Sequence, residues 1–291
     1  MIRMLRENRT VVLALPVLVF FTFFFIVPIF TLLALAFNPK ELGSIAIKPV
    51  LTLENFKLFF SYPVYRQSLI NSLWLTSAAT AICLLIGYPV AYMIARTASK
   101  RVQAFLVILV FSSMQIDLTV RIFGYLTILG DNGLINGSLI RAGVISRPLP
   151  LMYNSFGVIV GLVNLSLPFL ILPLIGIIES ISPDLLNVAR LLGCNRWKGF
   201  MKVELPLSVP GIITGVLFAF AISMSSYLIP VLLGGWGRAV LPVYVYQQIS
   251  NQGLWQRGAA FAIVLLLTNL MVVFALIRYY SRVYTKRMLA V

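Results

Sequence analysis

Long apolar runs separated by short polar segments dominate this chain. Six of the runs approach or exceed the roughly 20 residues that a helix needs to cross the hydrocarbon core of a bilayer. Because backbone groups at that depth must find their hydrogen bonds within the segment, each run is expected to be helical. The pattern therefore predicts an all-α membrane protein in which residues 1–291 form a single transmembrane domain. The predicted spans are about residues 11–37, 67–95, 104–129, 156–178, 208–233 and 258–280, with a long polar loop at 179–207 between the fourth and the fifth.

The composition supports a location in the bilayer. Hydrophobic residues make up 60% of the chain, charged residues only 11%, and the mean hydropathy is +0.98. A soluble domain could not cover its surface with so few polar groups. The formal net charge of +15 arises from basic residues scattered through the segments between the apolar runs. Since nucleic-acid-binding proteins need a continuous basic face, this distribution argues against nucleic acid as a partner.

The basic residues are divided unequally between the two sides of the predicted membrane. Fourteen lie in the terminal segments and in the two loops on their side, whereas eight lie in the loops on the opposite side. Cytoplasmic segments of membrane proteins carry the excess of Lys and Arg. The bias therefore predicts a multi-pass membrane protein with both termini and the loop at 179–207 in the cytoplasm.

The chain contains no recognisable pattern for catalysis or metal binding. It has no histidine, and its two cysteines, Cys83 and Cys194, lie far apart. The usual His/Cys zinc patterns, a Cys–His pair and a Ser-His-Asp triad are therefore absent from the sequence. We expect no catalytic residue, no metal site and no cofactor bound by this chain, and we interpret both cysteines as packing residues.

The loop at 179–207 is organised like two short helices. Ser182 can cap the first helix and Gly193 can end it. Asn195 can cap the second helix, and Pro206 marks its end. Apolar residues at helical spacing give each predicted helix one apolar face. These residues are Leu185, Val188, Ala189 and Leu192 in the first helix, and Trp197, Phe200 and Met201 in the second. Such an amphipathic elbow indicates either a docking surface for a soluble partner or an interfacial helix that rests on lipid headgroups.

The spacing of residues in this loop resembles a known family signature. The run Asn187-Val188-Ala189, three residues, Gly193, nine residues and then Val203-Glu204-Leu205-Pro206 is similar to the signature loop of binding-protein-dependent ABC importer permeases. That signature reads Glu-Ala-Ala, three residues, Gly, nine residues, Ile-x-Leu-Pro. The spacing matches throughout, while Asn187 and Val188 replace the family's Glu and first Ala. Three further segments resemble permeases of the spermidine/putrescine type: LTVRIFG at 118–124, GLIN at 133–136 and LPLSVPG at 205–211.

The resemblance implies a location in the bacterial inner membrane and the type I ABC importer permease fold, with a cytoplasmic coupling helix between spans 4 and 5. This chain would form half of a translocation pathway with a second, homologous permease, and it would work with two ATPase subunits and a periplasmic solute-binding protein. ATP and Mg would bind to the partner ATPase, because this chain lacks a Gly-x-x-x-x-Gly-Lys-Ser/Thr loop and is not itself an enzyme. The residues of the coupling loop would be Asn187, Ala189, Gly193, Trp197, Leu205 and Pro206.

The resemblance also implies a class of solute, namely a polyamine or a related amine or amino-acid-like compound. Related permeases carry opines, iron(III) or small anions, and the residues of this chain leave these alternatives open. A different class of protein, a secondary transporter driven by an ion gradient, would need an internal repeat or intramembrane carboxylates. Asp117 is the only acidic residue within a predicted span, which favours the ATP-driven importer.

Polar residues within the spans are candidates for the translocation pathway. Asp117 and Arg121 are four residues apart on one helical face, so they form either a structural salt bridge or part of the pathway. Their charges are also expected to break the outer part of the third span. The candidates in the fourth and fifth spans are Asn164, Met224, Ser225 and Tyr227, with Met224 and Tyr227 near the constriction. The alternative for this group is ordinary helix packing, which is also how we interpret the pair Gly211 and Gly215.

Overall fold

The computed structural model describes residues 15–235 and 239–288, with side chains described up to Tyr280. Every regular element within these ranges is a helix, which confirms the all-α class. Residues 11–14, the start of the predicted first span, lie outside the described residues. The helices are α1 (Leu15–Ala36), α2 (Glu54–Ser61), α3 (Pro63–Ala95), α4 (Lys100–Gln115), α5 (Leu118–Leu129), α6 (Leu134–Arg141), α7 (Ser155–Ser180), α8 (Asp184–Leu191), α9 (Arg196–Ser225), α10 (Leu228–Leu233), α11 (Leu241–Tyr246) and α12 (Trp255–Met288). A π-helical turn, Gln247–Asn251, directly follows α11.

Five of these helices are long and apolar enough to cross a bilayer, namely α1, α3, α7, α9 and the part of α12 up to Tyr280. The helix α4 and the helical segment that follows it pass the same test only together, and they are bent by 95° at their junction. Counted as one broken span, this pair brings the number of membrane-crossing segments in the described residues to six.

The predicted third span is not a single helix. The helix α4 ends at Gln115, and Ile116 is extended with ψ 125°. The carboxylate of Asp117 then accepts a hydrogen bond from the amide of Thr119 at 2.8 Å and caps α5. A side-chain acceptor at this position satisfies an amide of the first turn that has no partner within the helix. The chain therefore breaks where the charged residue interrupts the apolar run, as the sequence predicts.

The predicted fifth span, 208–233, was wrong as one continuous helix. The helix α9 ends at Ser225, whose hydroxyl donates back to the carbonyls of Ala221 and Ile222, both at 3.1 Å. Ser226 is extended, with ψ 124°. Such local hydrogen bonds compete with the helical ladder, and Pro230 has no amide hydrogen to donate to the carbonyl four residues earlier. A new short helix, α10, starts only at Leu228.

One compact unit of the chain contains the described residues up to Arg66 together with Tyr244–Leu267. Within it, Phe59 packs edge-on against Phe261, with ring centroids 5.1 Å apart. The apolar window of α1 contains no buried residue, so most of this helix presents exposed side chains. The buried apolar cluster of this unit consists of Leu35, Ala36, Ala259, Ala260 and Ile263.

A second compact unit contains Gln67–Val243 and the described residues from Thr268 onward. Its central pair of helices is α7 and α9, which approach closely at two glycines. A Cβ atom on Gly215 would lie 2.8 Å from the carbonyl oxygen of Leu170, and one on Gly211 would lie 2.9 Å from the Cβ of Ile177. Only a residue without a side chain permits this approach, which confirms the packing role predicted for the glycine pair.

Candidate functional site

The polar elbow between α7 and α9, here defined as residues 181–204, begins with the amphipathic helix α8. This helix ends in a left-handed glycine, Gly193, with φ +84°. The amide of Gly193 donates to the carbonyl of Arg190 at 2.9 Å, and the amide of Cys194 donates to the carbonyl of Ala189 at 3.0 Å. These two bonds form a Schellman cap, which satisfies carbonyls that the helix end leaves unpaired. The predicted stop at Gly193 is confirmed.

The second half of the elbow joins the next span without a break. The side chain of Asn195 accepts a hydrogen bond from the amide of Lys198 at 2.8 Å, which confirms the predicted cap. The predicted helix end at Pro206 was wrong, because α9 runs from Arg196 through the proline to Ser225. The turn Phe200–Glu204, which ends two residues before the proline, is a π-helix. This wider turn changes the hydrogen-bond register where the proline has no amide hydrogen to donate.

The elbow residues that match the family signature divide into a buried and an exposed group. Ala189 is buried, and Leu205 and Pro206 at the base of the elbow are half-buried. Asn187 and Trp197 are exposed. The exposed surface also carries large apolar side chains, which are Leu185, Val188, Leu191 and Leu192, with Leu191 at 87% and Leu192 at 80% exposure. An apolar surface of this kind on a polar loop is typical of a docking site.

A ladder of polar contacts connects the elbow and the start of α9 to the end of α3. Tyr88 and Tyr92 on α3 and Arg96 directly after its end follow one another at four-residue spacing, and Glu204 and Ser208 do so on the opposing segment. The hydroxyls of Tyr88 and Ser208 are 2.9 Å apart. The hydroxyl of Tyr92 donates to Oε2 of Glu204 at 2.7 Å. The guanidinium of Arg96 donates through Nε to Oε1 of Glu204 at 2.6 Å.

The side chain of Arg96 contacts residues at both ends of the elbow. Its Nη1 donates to the carbonyl of Ile181 at 3.0 Å, while its Nη2 lies 2.5 Å from Oε1 of Glu204. The side chain of Glu204 is fully buried and that of Arg96 is 18% exposed. The sequence interpretation did not single out these residues. The available signal was the four-residue spacing on both segments, which places the polar groups of each helix on one face.

A cavity of about 770 Å³ lies between α3, the elbow and α9. Its volume falls within the roughly 300–1,000 Å³ of small-molecule pockets. The residues Tyr88, Tyr92 and Glu204 of the polar ladder form part of its wall. The remaining lining is mainly apolar and includes Leu84, Leu85, Pro89, Leu186, Trp197, Phe200, Leu205 and Ile212, together with Arg190 and Arg196.

The structure does not bring Asp117 and Arg121 into an ion pair. Asp117 is exposed and serves as the cap of α5. Arg121 lies one turn further along, and its buried Nε has no hydrogen-bond partner. The structural salt bridge that the spacing predicts is therefore absent. The carboxylate instead stabilises the start of a helix at the break in the third span.

The pathway candidates of the fourth and fifth spans lie in different surroundings. Met224 is 1% exposed, and its sulfur accepts a hydrogen bond from the hydroxyl of Thr76 at 3.8 Å. A small cavity of about 10 Å³ lies beside it, and the buried hydroxyls of Ser223 and Ser226 there have no partner. Tyr227 lies at the break between α9 and α10 and is 38% exposed. Met224 is thus buried, whereas Tyr227 lies at the break between the two helices.

The remaining candidates, Asn164 and Ser225, have exposed side chains on α7 and at the end of α9. No cluster of three or more Asp, Glu, Cys or His side chains suitable for a metal ion occurs among the described residues. Cys83 is buried, where its sulfur lies 3.1 Å from the hydroxyl of Ser166, and Cys194 in the elbow is partly exposed.

Sequence comparison places the chain with transport proteins. Residues 87–283 match the family model described as "Binding-protein-dependent transport system inner membrane component". The "Spermidine/putrescine transport system permease protein PotB" of Haemophilus influenzae is 36% identical over 258 residues, which cover 88% of each chain. The "Molybdenum transport system permease protein ModB" of Azotobacter vinelandii is 31% identical over 164 residues, which cover 56% of this chain and 70% of that protein.

The fold is also found among solved structures. A chain of a bacterial ABC transporter involved in the import of the acidic polysaccharide alginate superposes with a TM-score of 0.72 over 95% of this chain and 96% of that one, at 19% identity. A chain of an amino acid ABC transporter superposes with a TM-score of 0.54 over 80% of this chain. At these identities the similarity concerns the fold alone.

Proposed function

This chain belongs to the family of binding-protein-dependent transport system inner membrane components and is a transmembrane permease subunit of an ABC importer, and from that premise we propose how it is coupled to ATP and what it carries. It forms part of a translocation pathway through the inner membrane.

The elbow is the proposed docking site for a cytoplasmic ATPase subunit. The observation that carries this assignment is the exposed apolar surface of α8 beside the capped turn at Gly193. Leu191 and Leu192 are almost fully exposed in the isolated chain, although burying each would be favourable. Of the signature residues, the exposed Asn187 and Trp197 are proposed to contact the ATPase, while Ala189, Leu205 and Pro206 support the elbow from inside. ATP and Mg bind to that partner rather than to this chain.

A second, homologous permease is the proposed partner within the membrane. Two lines of support exist: the exposed apolar surface of α1, and membership of a family whose members work in transport systems rather than alone. Lipid covers whatever part of this surface the second permease leaves free. A periplasmic binding protein delivers the solute, in keeping with the family description.

The proposed solute is a small organic polycation of the polyamine class. Support comes from the relative in Haemophilus influenzae, which is named for spermidine and putrescine transport and matches this chain over 88% of its length. An anion is the second candidate, because the shorter match in Azotobacter vinelandii is named for molybdenum transport. The exposed carboxylate of Asp117 favours the cation, since it attracts positive charge at the break of the third span.

The pathway is proposed to pass the break at Tyr227, with Asp117, Arg121, Asn164 and Ser225 as further polar groups along it. Met224 is assigned to supporting the end of α9 rather than contacting solute, because it is buried. Replacing Tyr227 with Ala should lower the uptake rate. Replacing Met224 with Leu should leave uptake close to normal, because this exchange conserves volume.

Reconstitution of the complete system in liposomes tests the function. The complex of this chain, a second permease and two ATPase subunits is combined with the binding protein. Uptake of radiolabelled spermidine is then measured with and without ATP inside the liposomes, with molybdate as the competing anion. We expect ATP-dependent spermidine uptake that molybdate does not reduce. An ATPase subunit without its phosphate-binding lysine is the control and should abolish uptake.

Two results would contradict the proposal in different ways. Uptake by this chain alone, driven by an ion gradient and independent of ATP, would identify a secondary transporter. ATP-dependent uptake of molybdate in place of spermidine would leave the importer assignment intact and overturn the solute class.

A further inference from the structure

The polar ladder between α3 and α9 contains an ion pair that has no part in the proposed binding of solute or of ATP. Arg96 and Glu204 are 108 residues apart in sequence, and they meet where the elbow joins the membrane-spanning helices. The Nε of the guanidinium donates to one oxygen of the carboxylate, Nη2 forms an ion pair with the same oxygen without a hydrogen bond, and the hydroxyl of Tyr92 donates to the other oxygen. All the charge of Glu204 is therefore compensated within the protein.

The position of Arg96 gives this ion pair a mechanical consequence. Ile181 is the first residue after α7, and Glu204 is the last residue of the π turn that leads into the rest of α9. Because one guanidinium binds the Ile181 carbonyl and the Glu204 carboxylate together, it ties both ends of the elbow to the end of α3. Three membrane-spanning helices, α3, α7 and α9, thus meet at one side chain.

Burial makes the connection difficult to open. Glu204 has no exposed side-chain surface, and an ionised carboxylate without a partner in such a place is strongly unfavourable. Moving the elbow away from α3 would separate the pair and leave that charge uncompensated. A displacement of the elbow is therefore expected to carry the end of α3 with it.

We propose that Arg96 and Glu204 are positioning residues that transmit movement of the elbow to α3. In this arrangement, here called the Arg96 joint, the base of the elbow and the ends of α3, α7 and α9 move as one body when the ATPase subunits displace α8. The inference rests on the proposed function, because it requires an ATPase partner on the elbow. Neither residue contacts ATP or solute in it.

The side-chain chemistry defines the variants that test the joint. Arg96→Lys keeps the positive charge, but an ammonium group lacks the rigid fork that reaches the carbonyl and the carboxylate together. The double variant Arg96→Met/Glu204→Leu removes both charges and leaves none stranded, so the complex is expected to assemble. The control is Glu41→Gln/Lys48→Gln, which removes the other ion pair of the described residues, an exposed pair at 3.1 Å.

The first measurement is the amount of spermidine transported per ATP hydrolysed by the reconstituted complex. We expect the double variant to retain its ATPase subunits and its ATP hydrolysis, while transport per ATP falls about tenfold, within the usual range of coupling between sites. Arg96→Lys should lie between the double variant and the wild type, and the control should equal the wild type. A purely structural role would lower the yield of complex without changing this ratio.

The second measurement does not depend on the solute. Spin labels are placed on the native Cys194 of the elbow and on Ala98→Cys after α3, with Cys83→Ala to remove the buried thiol. The distance between the labels should stay the same on addition of ATP and vanadate when Arg96 and Glu204 are present. The distribution of distances between the labels should broaden or shift in the Arg96→Met/Glu204→Leu background.

The outcomes separate this inference from the proposed function. Failure of the wild-type complex to recruit an ATPase or to transport would overturn the proposed function itself. A working wild type combined with an unchanged transport ratio in the double variant would overturn the joint alone. If the double variant does not assemble, Arg96→Lys decides: a wild-type ratio overturns the joint, and a reduced ratio in a fully assembled complex supports it.

Discussion

Gly193 is the residue of the elbow with the most demanding backbone, and the reason is conformational. Its φ of +84° lies in the left-handed region, and a Cβ atom there would meet no other atom within 4 Å. A β-branched residue would therefore fit in space but be strained, at a cost of about 1–2 kcal/mol. Gly143 provides an internal comparison, because it has φ +73°, the same open surroundings and the same pair of cap hydrogen bonds at the end of α6.

Gly193→Val should uncouple ATP hydrolysis from transport by distorting the turn that presents α8. We expect transport per ATP to fall severalfold, whereas Gly143→Val should lower stability by a similar amount without changing that ratio. Gly193→Asn should recover much of the function, because Asn tolerates the left-handed region. Uptake and ATP hydrolysis by the reconstituted complex provide the measurement. Equal effects of the two Val variants on the ratio would refute a specific role for the elbow turn.

Asp117 is a helix cap, and this role makes a prediction different from that of an ion pair. Asp117→Ala should destabilise the protein through loss of the cap, whereas Asp117→Asn should be nearly neutral, because Asn caps as well as Asp. Arg121→Gln combined with Asp117→Ala should give additive changes within about 0.5 kcal/mol. Unfolding of the purified complex in detergent measures these differences. An interaction energy clearly above that limit would show that Asp117 and Arg121 form a salt bridge.

At the scale of elements, the amphipathic helix α8 shows why helix ends that depend on local signals could be predicted from the sequence. The ends of α8 and of the second elbow helix depend on Gly193 and Asn195, whose effects reach only three to five residues along the chain. The spacing of apolar residues predicts the helix, but it does not predict which of these residues are buried and which are exposed. Ala189 is buried, although its helical spacing predicts that it shares a face with Leu185, Val188 and Leu192, which are exposed.

The elements that were predicted wrongly depend on contacts or turns without a local signature. Pro206 indicates a helix end by itself, yet the preceding π turn lets α9 continue. The early end of α9 at Ser225 depends on a hydroxyl that returns to its own helix. The ion pair of Arg96 and Glu204 requires α3 to lie beside α9, which periodicity within either segment does not determine.

The exposed face of α8 leads to a prediction for this element as a docking surface. Leu191→Glu should weaken binding of the ATPase subunit about tenfold, as expected when an apolar anchor is lost from an interface. Leu51 is a matched control, because it is 82% exposed, compared with 87% for Leu191, and lies in a predicted outer loop. The measurement is the amount of ATPase subunit that co-purifies with the complex. Equal losses for Leu191→Glu and Leu51→Glu would contradict docking at α8.

At the scale of the whole molecule, the bilayer explains why the fold class was evident from the sequence. A membrane admits few spanning structures, and long apolar runs select the helical one. The identity of the solute is not evident in the same way, because it depends on a few side chains and because the partner permease and the binding protein contribute to the selection. The overall charge of +15 and the one acidic residue within the spans predicted from the sequence, Asp117, are compatible with more than one solute class.

The distribution of basic residues makes a prediction for the whole molecule, namely its orientation. The side of the membrane with fourteen basic residues in its segments should face the cytoplasm, because segments rich in Lys and Arg are retained there. This places Cys194 of the elbow inside the cell and Asn132, in the loop after α5, outside. Two proteins test this arrangement, one with Cys83→Ala and native Cys194, and one with Cys83→Ala/Cys194→Ser/Asn132→Cys.

A membrane-impermeant maleimide should label the Asn132→Cys protein in right-side-out vesicles and the Cys194 protein only in inside-out vesicles. Both thiols should react once the membrane is dissolved in detergent, because both positions are at least partly exposed. This last result is the control that separates a hidden thiol from one on the far side. The reverse labelling pattern would place the elbow outside the cell, where no ATPase subunit could reach it, and would remove the physical basis for coupling through α8 and the Arg96 joint together.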